Sequence, residues 1–188
     1  MGHGEHVAVN DTKMPDDYYC NVQKDVQELQ KLYPFTYFIF LPLRDPKPIV
    51  VHVIAVDCTL IEKTRAYRED FIKDFSKKLE IIVPFDYQVS GCDVYGGRWI
   101  DLEKIPMEDQ HFYKRLDDGR FQFCVGVPES FSKMKNVILE NVKTADKMLT
   151  AYELFQKGLT RRVELIAYAH GQKGINEYRG KKEKYQTK

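Results

Sequence analysis

Four cysteines, Cys20, Cys58, Cys92 and Cys124, are the residues of this 188-residue chain best suited to covalent chemistry. They are widely separated and form no CxxC pair, which argues against a zinc ribbon and a secreted disulfide framework and fits a reducing cytoplasm. A single cysteine is a natural nucleophile for acyl transfer: some thiolate is present at an ordinary pKa of about 8.5, and the thioester it forms keeps its acyl-transfer potential. Position then separates the four. Cys124 lies in Asp117-Asp118-Gly119-Arg120-Phe121-Gln122-Phe123-Cys124-Val125-Gly126-Val127-Pro128, between a turn-forming Asp-Asp-Gly and a Gly and Pro. That context fits a surface rim, and it also fits a buried cysteine packed as a small apolar residue. Cys92, in Ser90-Gly91-Cys92-Asp93, is the competing nucleophile, whereas Cys58 and Cys20 read as bystanders at the end of an apolar strand and in a first helix. A nucleophilic Cys124 should be the most accessible of the four.

His111 has two roles open to it, as a base near Cys124 or as a hydrogen-bonded brace of its own loop. His52, inside an apolar strand, reads as a satisfied core residue, and His170 as an anchor for the terminal segment. The chain contains no phosphate-cradling glycine loop, HExxH helix, GxSxG elbow or EF-hand loop, so the cysteines carry the chemical expectation.

The elements that must position these residues can be read from periodicity. From Asp17 to Tyr33, Val22, Val26, Leu29 and Tyr33 recur at helical spacing, with Pro15 and two aspartates at the start and Pro34 at the stop. Phe35 to Leu43 and Ile49 to Asp57 are aromatic and β-branched and flank a turn cluster, which predicts an antiparallel pair. Thr64 to Lys78 places Tyr67, Phe71 and Phe75 four apart and predicts a surface helix. Leu79 to Val83, Cys92 to Tyr95 and Phe121 to Val127 are strand candidates. Arg98 to Gly119 has no period and predicts a long functional loop. Asn141 to Lys157 carries Val142, Ala145, Leu149 and Tyr152 on one face and predicts a second long helix, ended by Gly158. This order predicts an α+β domain with an antiparallel sheet.

Composition narrows the class further. At 43% hydrophobic and 13% aromatic, the chain has the content for one packed core. Its apolar runs are far shorter than the roughly 20 residues of a membrane helix, and Met1-Gly2-His3-Gly4-Glu5-His6 lacks the features of a secretory signal. The net charge of +1 gives no global reason to expect a nucleic-acid partner. Residues 161–188 are nonetheless basic, with eight Lys/Arg against three Asp/Glu, as in a solvated tail or a docking tail for an acidic partner.

The order of elements, with Leu79-Glu80-Ile81-Ile82-Val83-Pro84-Phe85-Asp86-Tyr87, His111-Phe112-Tyr113, Phe123-Cys124-Val125-Gly126-Val127-Pro128 and His170-Gly171-Gln172-Lys173-Gly174-Ile175-Asn176-Glu177-Tyr178, resembles bacterial ubiquitin-conjugating-enzyme-like (UBC-like) proteins. The Pro-x-x-Tyr step after the third strand, the His-Pro-Asn loop, the nucleophile's Cys-x-Gly-x-Pro setting and a His-Gly-x-x-Gly-Ile-x-Glu-Tyr ending stand at those four places in the family. The resemblance implies a flexible N-terminus over 1–15, a single UBC-like domain over 16–180 and a basic flexible tail over 181–188. Within the domain it implies an N-terminal helix, a four-stranded antiparallel meander, an active-site loop and C-terminal helices. It further implies a thioester at Cys124 with the C-terminal glycine of a partner, in the family's setting a cGAS/DncV-like nucleotidyltransferase (CD-NTase) of a CBASS antiphage operon. A separate activating enzyme would supply the acyl group, with no metal or organic cofactor, no nucleic acid and no membrane. The histidine of that loop is mainly structural in the family, so the resemblance favours the bracing role for His111.

The chain departs from the family pattern in three places. Tyr113 replaces the asparagine that stabilises the oxyanion, Gly119 to Cys124 is two residues longer than usual, and the Thr64 to Lys78 helix is additional. The first departure requires a backbone N–H or another side chain to supply the oxyanion donor. It also favours the alternative of a catalytically inactive UBC-like or RWD-like binding module. A Cys124/His111 peptidase is a third possibility with no motif behind it.

Overall fold

The structure, a computed structural model, describes residues 14–39, 47–54 and 78–163. Among them an opening helix α1 (Tyr18–Leu32) leads into β1 (Thr36–Ile39), β2 (Ile49–Ile54) and β3 (Lys78–Val83). A one-turn helix α2 (Tyr87–Ser90) and β4 (Asp93–Gly96) follow, then two 3-10 turns at Leu102–Lys104 and Met107–Asp109. The hairpin β5 (Phe112–Arg115) and β6 (Phe121–Phe123), a short α3 (Pro128–Phe131) and the long α4 (Val137–Gln156) complete the order.

The strands form one antiparallel sheet in the order β1-β2-β3-β4-β6-β5. The expected α+β class holds, but the expected four-stranded sheet has six strands among the described residues. β1 to β4 are sequential neighbours, and the β5–β6 hairpin adds to them through β6 on β4. The period-free stretch from Arg98 to Gly119 is therefore partly strand. β5 escaped periodicity because it lies at the sheet edge and is interrupted by a bulge, leaving Tyr113, Lys114 and Arg115 all exposed. Its lysine and arginine are the charges that commonly keep an edge strand from pairing with other chains.

Alternation makes the sheet two-faced. Val51, Val53, Leu79, Ile81, Val83, Val94, Phe121 and Phe123 are buried, and they form one core with Val22, Val26 and Leu29 of α1 and Ile138, Val142, Ala145, Leu149 and Tyr152 of α4. The opposite face carries polar residues, including Glu80, Asp93 and Gln122. His52 belongs to that outer face, which corrects its expected core placement: the ring stacks on Tyr37 at 4.9 Å, and Nδ1 lies 3.8 Å from the Glu80 carboxylate. Its position out of phase with Val51 and Val53 accounts for the difference.

The helices are pinned by polar contacts. Asn136 caps α4 by accepting from the Leu139 N–H at 2.9 Å and donates to the Asp25 carbonyl of α1 at 2.9 Å. This cap starts α4 four residues ahead of the expected Asn141. Tyr18, the first residue of α1, donates its hydroxyl proton to the Val83 carbonyl while accepting from the Ile49 N–H at 2.9 Å. Burial pushes its phenol up to about 12. Tyr87, buried after the Pro84 step, donates to the Asp25 carboxylate at 2.7 Å.

The helix expected over Thr64 to Lys78 lies outside the described residues, save that Lys78 opens β3. The two termini, the residues from 164 on with the His170 segment, and Cys58 also lie outside them. Among the described residues no helix is long and apolar enough to cross a membrane.

Tyr18→Phe leaves the Ile49 N–H and the Val83 carbonyl without that partner, and a buried polar group left unpaired costs about 1–3 kcal/mol. Urea unfolding of the variant is expected to show a loss in that range with an unchanged slope.

Candidate functional site

Cys124 follows β6 directly, and the strand's alternation decides where its sulfur points. Phe121 and Phe123 are buried, so Arg120, Gln122 and Cys124, all partly exposed, occupy the outer face. The Cys124 N–H donates to the His111 carbonyl at 3.0 Å, which carries the hairpin ladder one step past β6. Opposite it, the register shifts between Phe112 and Lys114: Phe112 faces Phe123, Lys114 faces Gln122, and Tyr113 is the extra residue. The bulge brings the Tyr113 side chain to Cys124, whose thiol donates to the hydroxyl oxygen at 3.4 Å.

The Tyr113 side chain is well exposed, but its hydroxyl end is turned against the thiol. Burial of that end, followed by the contact with Cys124, raises the phenol's pKa above its ordinary value. The hydroxyl is therefore protonated at neutral pH and able to donate. Asp93, on the neighbouring β4, accepts from the Gln122 amide at 2.7 Å; burial raises its carboxyl, against the lowering effect of this bond. Cys124 thus lies beside a phenol and near a carboxylate at the outer end of β6.

Both sides of the site are braced by α4 and its surroundings. The Tyr152 hydroxyl accepts from the His111 N–H at 3.1 Å and donates to the Asp109 carbonyl at 2.7 Å, and burial pushes its pKa up to about 12. Gln110 donates to the Leu102 and Ile105 carbonyls at 3.2 and 2.9 Å, and Gln156 donates to the Asp101 carbonyl at 3.0 Å. His111 is buried, with its backbone shared between Tyr152 and Cys124, a position suited to bracing the loop. After Cys124, Gly126 has a packing reason: a Cβ there would lie 2.7 Å from the Phe131 ring, which also closes on Gly91 from the other side. Pro128 then starts α3.

The remaining cysteines fall in different environments. Cys92 is buried at 6% exposure, its N–H donates to the Asn141 side-chain oxygen at 2.8 Å, and burial drives its thiol far above the ordinary range. A thiol so desolvated supplies little thiolate at neutral pH, so Cys92 is unsuited to compete as a nucleophile. Cys20 is exposed on α1 and Cys124 is half-buried, so the expectation that Cys124 is the most accessible does not hold among the described cysteines. Helix periodicity explains this, because Cys20 lies off the Tyr18, Val22, Val26, Leu29 stripe. Among the described residues no group of three His, Cys, Asp or Glu is placed to hold a metal ion.

Sequence reasoning named Cys124 and His111 but missed the working relation of Tyr113 and Tyr152 to them. Tyr113 was visible only as a departure from a motif, and Tyr152 only as part of a helix stripe. Alkylation of the native protein at pH 8, followed by peptide mapping, is expected to modify Cys20 and Cys124 while Cys92 reacts only after unfolding. Tyr152→Phe is expected to speed amide hydrogen exchange at His111 by at least about tenfold, because that N–H loses its acceptor.

The chain matches no protein-family model, no curated protein and no solved structure.

Proposed function

We propose that this chain is a UBC-like acyl carrier in which Cys124 is the nucleophile and the Tyr113 hydroxyl is the oxyanion donor. The observation that carries this reading is the 3.4 Å contact between the Cys124 sulfur and the Tyr113 oxygen on the outer face of the sheet. The opening helix, the sequential run β1 to β4 and the buried Tyr87 after Pro84 agree with a UBC-like fold. Tyr113 stands where the family has its asparagine, so the residue that departs from the pattern supplies a donor of its own.

The chemistry is an exchange of thioesters. Cys124 gives its proton to solvent, and the thiolate attacks the carbonyl carbon of a partner's C-terminal glycine held as a thioester on an activating enzyme. A new C–S bond forms as electron density moves to the carbonyl oxygen. The Tyr113 phenol, held protonated, donates to that oxyanion, as tyrosine does in other oxyanion holes. Collapse breaks the donor's C–S bond, and the departing thiolate takes up a proton. An amine or thiol acceptor then takes the acyl group from Cys124, with no metal or organic cofactor in either step. The tail's owner, on the resemblance, is a CD-NTase of a bacterial antiphage operon, and the setting is cytoplasmic.

The second reading is a catalytically inactive binding module, favoured by the same phenol if it serves only to cover the thiol. Mass spectrometry after co-expression with the operon neighbours separates the two. An adduct on Cys124 that is sensitive to hydroxylamine, and a stable oxyester in Cys124→Ser, are expected for the carrier. A chain that binds its partner but carries no adduct on any cysteine rejects the carrier and leaves the module. Tyr113→Phe keeps the ring and removes the donor, and its loading rate is expected to fall about 100-fold or more. Single-turnover loading at saturating donor measures this fall.

A further inference from the structure

We propose that a groove on the outer face of the sheet binds an acidic stretch of the polypeptide tail whose terminal carboxyl is loaded onto Cys124. This inference rests on the carrier reading above and names the recognition chemistry of its donor. The groove has a volume of about 520 Å³ and is lined by Lys78, Arg98, Arg120, Trp99, Tyr95 and Glu80, with two glycines between. Its size lies in the range of ligand-binding clefts.

Charge and geometry point to the occupant. Three cations line the groove against the Glu80 carboxylate, and Asp118 pairs with two of them, so one positive charge remains in excess. The Arg120 guanidinium is held from two sides, 2.7 Å from Glu80 and 2.7 Å from Asp118, and lies 5.9 Å from the centre of the Tyr95 ring. Arg98 reaches Asp118 at 3.0 Å from the rim. These contacts fix the Arg120 guanidinium in the groove wall, where it offers a preset positive edge. Lys78 and Arg98 are largely exposed, and Trp99 and Tyr95 offer aromatic surface against which an extended peptide can lie.

The groove also lies in line with the nucleophile. Arg120, Gln122 and Cys124 alternate with the buried Phe121 and Phe123, so all three face the same way along one strand. At about 3.3 Å per residue, four residues separate the groove end of β6 from the thiol by about 13 Å. An extended tail covering that distance places acidic residues over the cations when its terminal glycine is at Cys124. The half-buried Asp93, beside Gln122, disfavours a second acidic residue next to the thiol. The preferred tail is therefore acidic about four residues before its end and uncharged at the end itself.

The single tryptophan of the chain is Trp99, so its emission reports on this groove. The test titrates the full chain carrying Cys124→Ala with two unactivated octapeptides ending in Gly-Gly. One has Glu-Glu at the fourth and fifth positions before the terminal glycine, and the other has Lys-Lys there. The acidic peptide is expected to change Trp99 emission saturably, with a Kd at least tenfold below that of the basic peptide. The Lys78→Gln/Arg98→Gln double variant, both positions being at the surface, is expected to weaken the acidic peptide at least fivefold while keeping the circular dichroism of the parent. Equal response to both peptides, no response to either, or an affinity unaffected by the double variant overturns the proposal. No thioester is needed for this readout. An acidic peptide that binds alongside a Cys124 that never acquires an adduct supports the groove and rejects the carrier, and a loaded Cys124 without peptide preference does the reverse.

Discussion

The inward packing of Phe121 and Phe123 is the constraint on which the site depends. Phe112 lies 4.6 Å from Phe121, 5.5 Å from Phe123 and 5.1 Å from Tyr152, so β6 is held to the core by rings from its partner strand and from α4. Burying two phenylalanines contributes several kcal/mol, at about 1.5–3 kcal/mol each. A one-residue slip of β6 would exchange those rings for Gln122 and Cys124 in the core. The cost of that exchange keeps the thiol, the Gln122 amide and the Arg120 guanidinium on the outer face.

A second level of control is the bulge in β5. In a regular ladder Tyr113 would stand opposite Gln122, but Lys114 takes that position and the extra residue moves toward Cys124. The edge of a sheet tolerates this irregularity because no further strand has to match it. Tyr152 secures the adjoining turn by bonding on both sides of Gln110, to the His111 N–H and the Asp109 carbonyl. The phenol beside the thiol is thus positioned by a local defect whose flank is tied to a fully buried tyrosine of the long helix.

Cys92 and Cys124 show how environment divides chemically identical groups. Both adjoin central strands of the sheet, on β4 and β6, yet Cys92 is buried in the core with its amide tied to Asn141, whereas Cys124 faces outward beside a phenol. Desolvation raises the pKa of the first thiol and removes it from nucleophilic use. The outer face around the second is polar from Glu80 to Gln122, and the groove that begins at Arg120 shares that face.

Much of the architecture was legible in the sequence because periodicity records burial. The Val22, Val26, Leu29 stripe and the apolar face of α4 each state which side faces the core, and with the β-branched and aromatic runs between them they imply an α+β domain. The outward position of Cys124 was implicit in its alternation with Phe121 and Phe123. Strand number was not legible, because β5 is short, exposed and bulged and so carries no period. The phase of His52 is hidden in the sequence because every neighbour in its strand is apolar, and only its pairing with Glu80 of β3 reveals the alternation. The burial of Cys92, the approach of Tyr113 to the thiol and the gathering of Lys78, Arg98 and Arg120 into one groove were decided by tertiary structure. Each joins residues distant in sequence, and their proximity follows from strand register and side-chain packing, which no local pattern encodes.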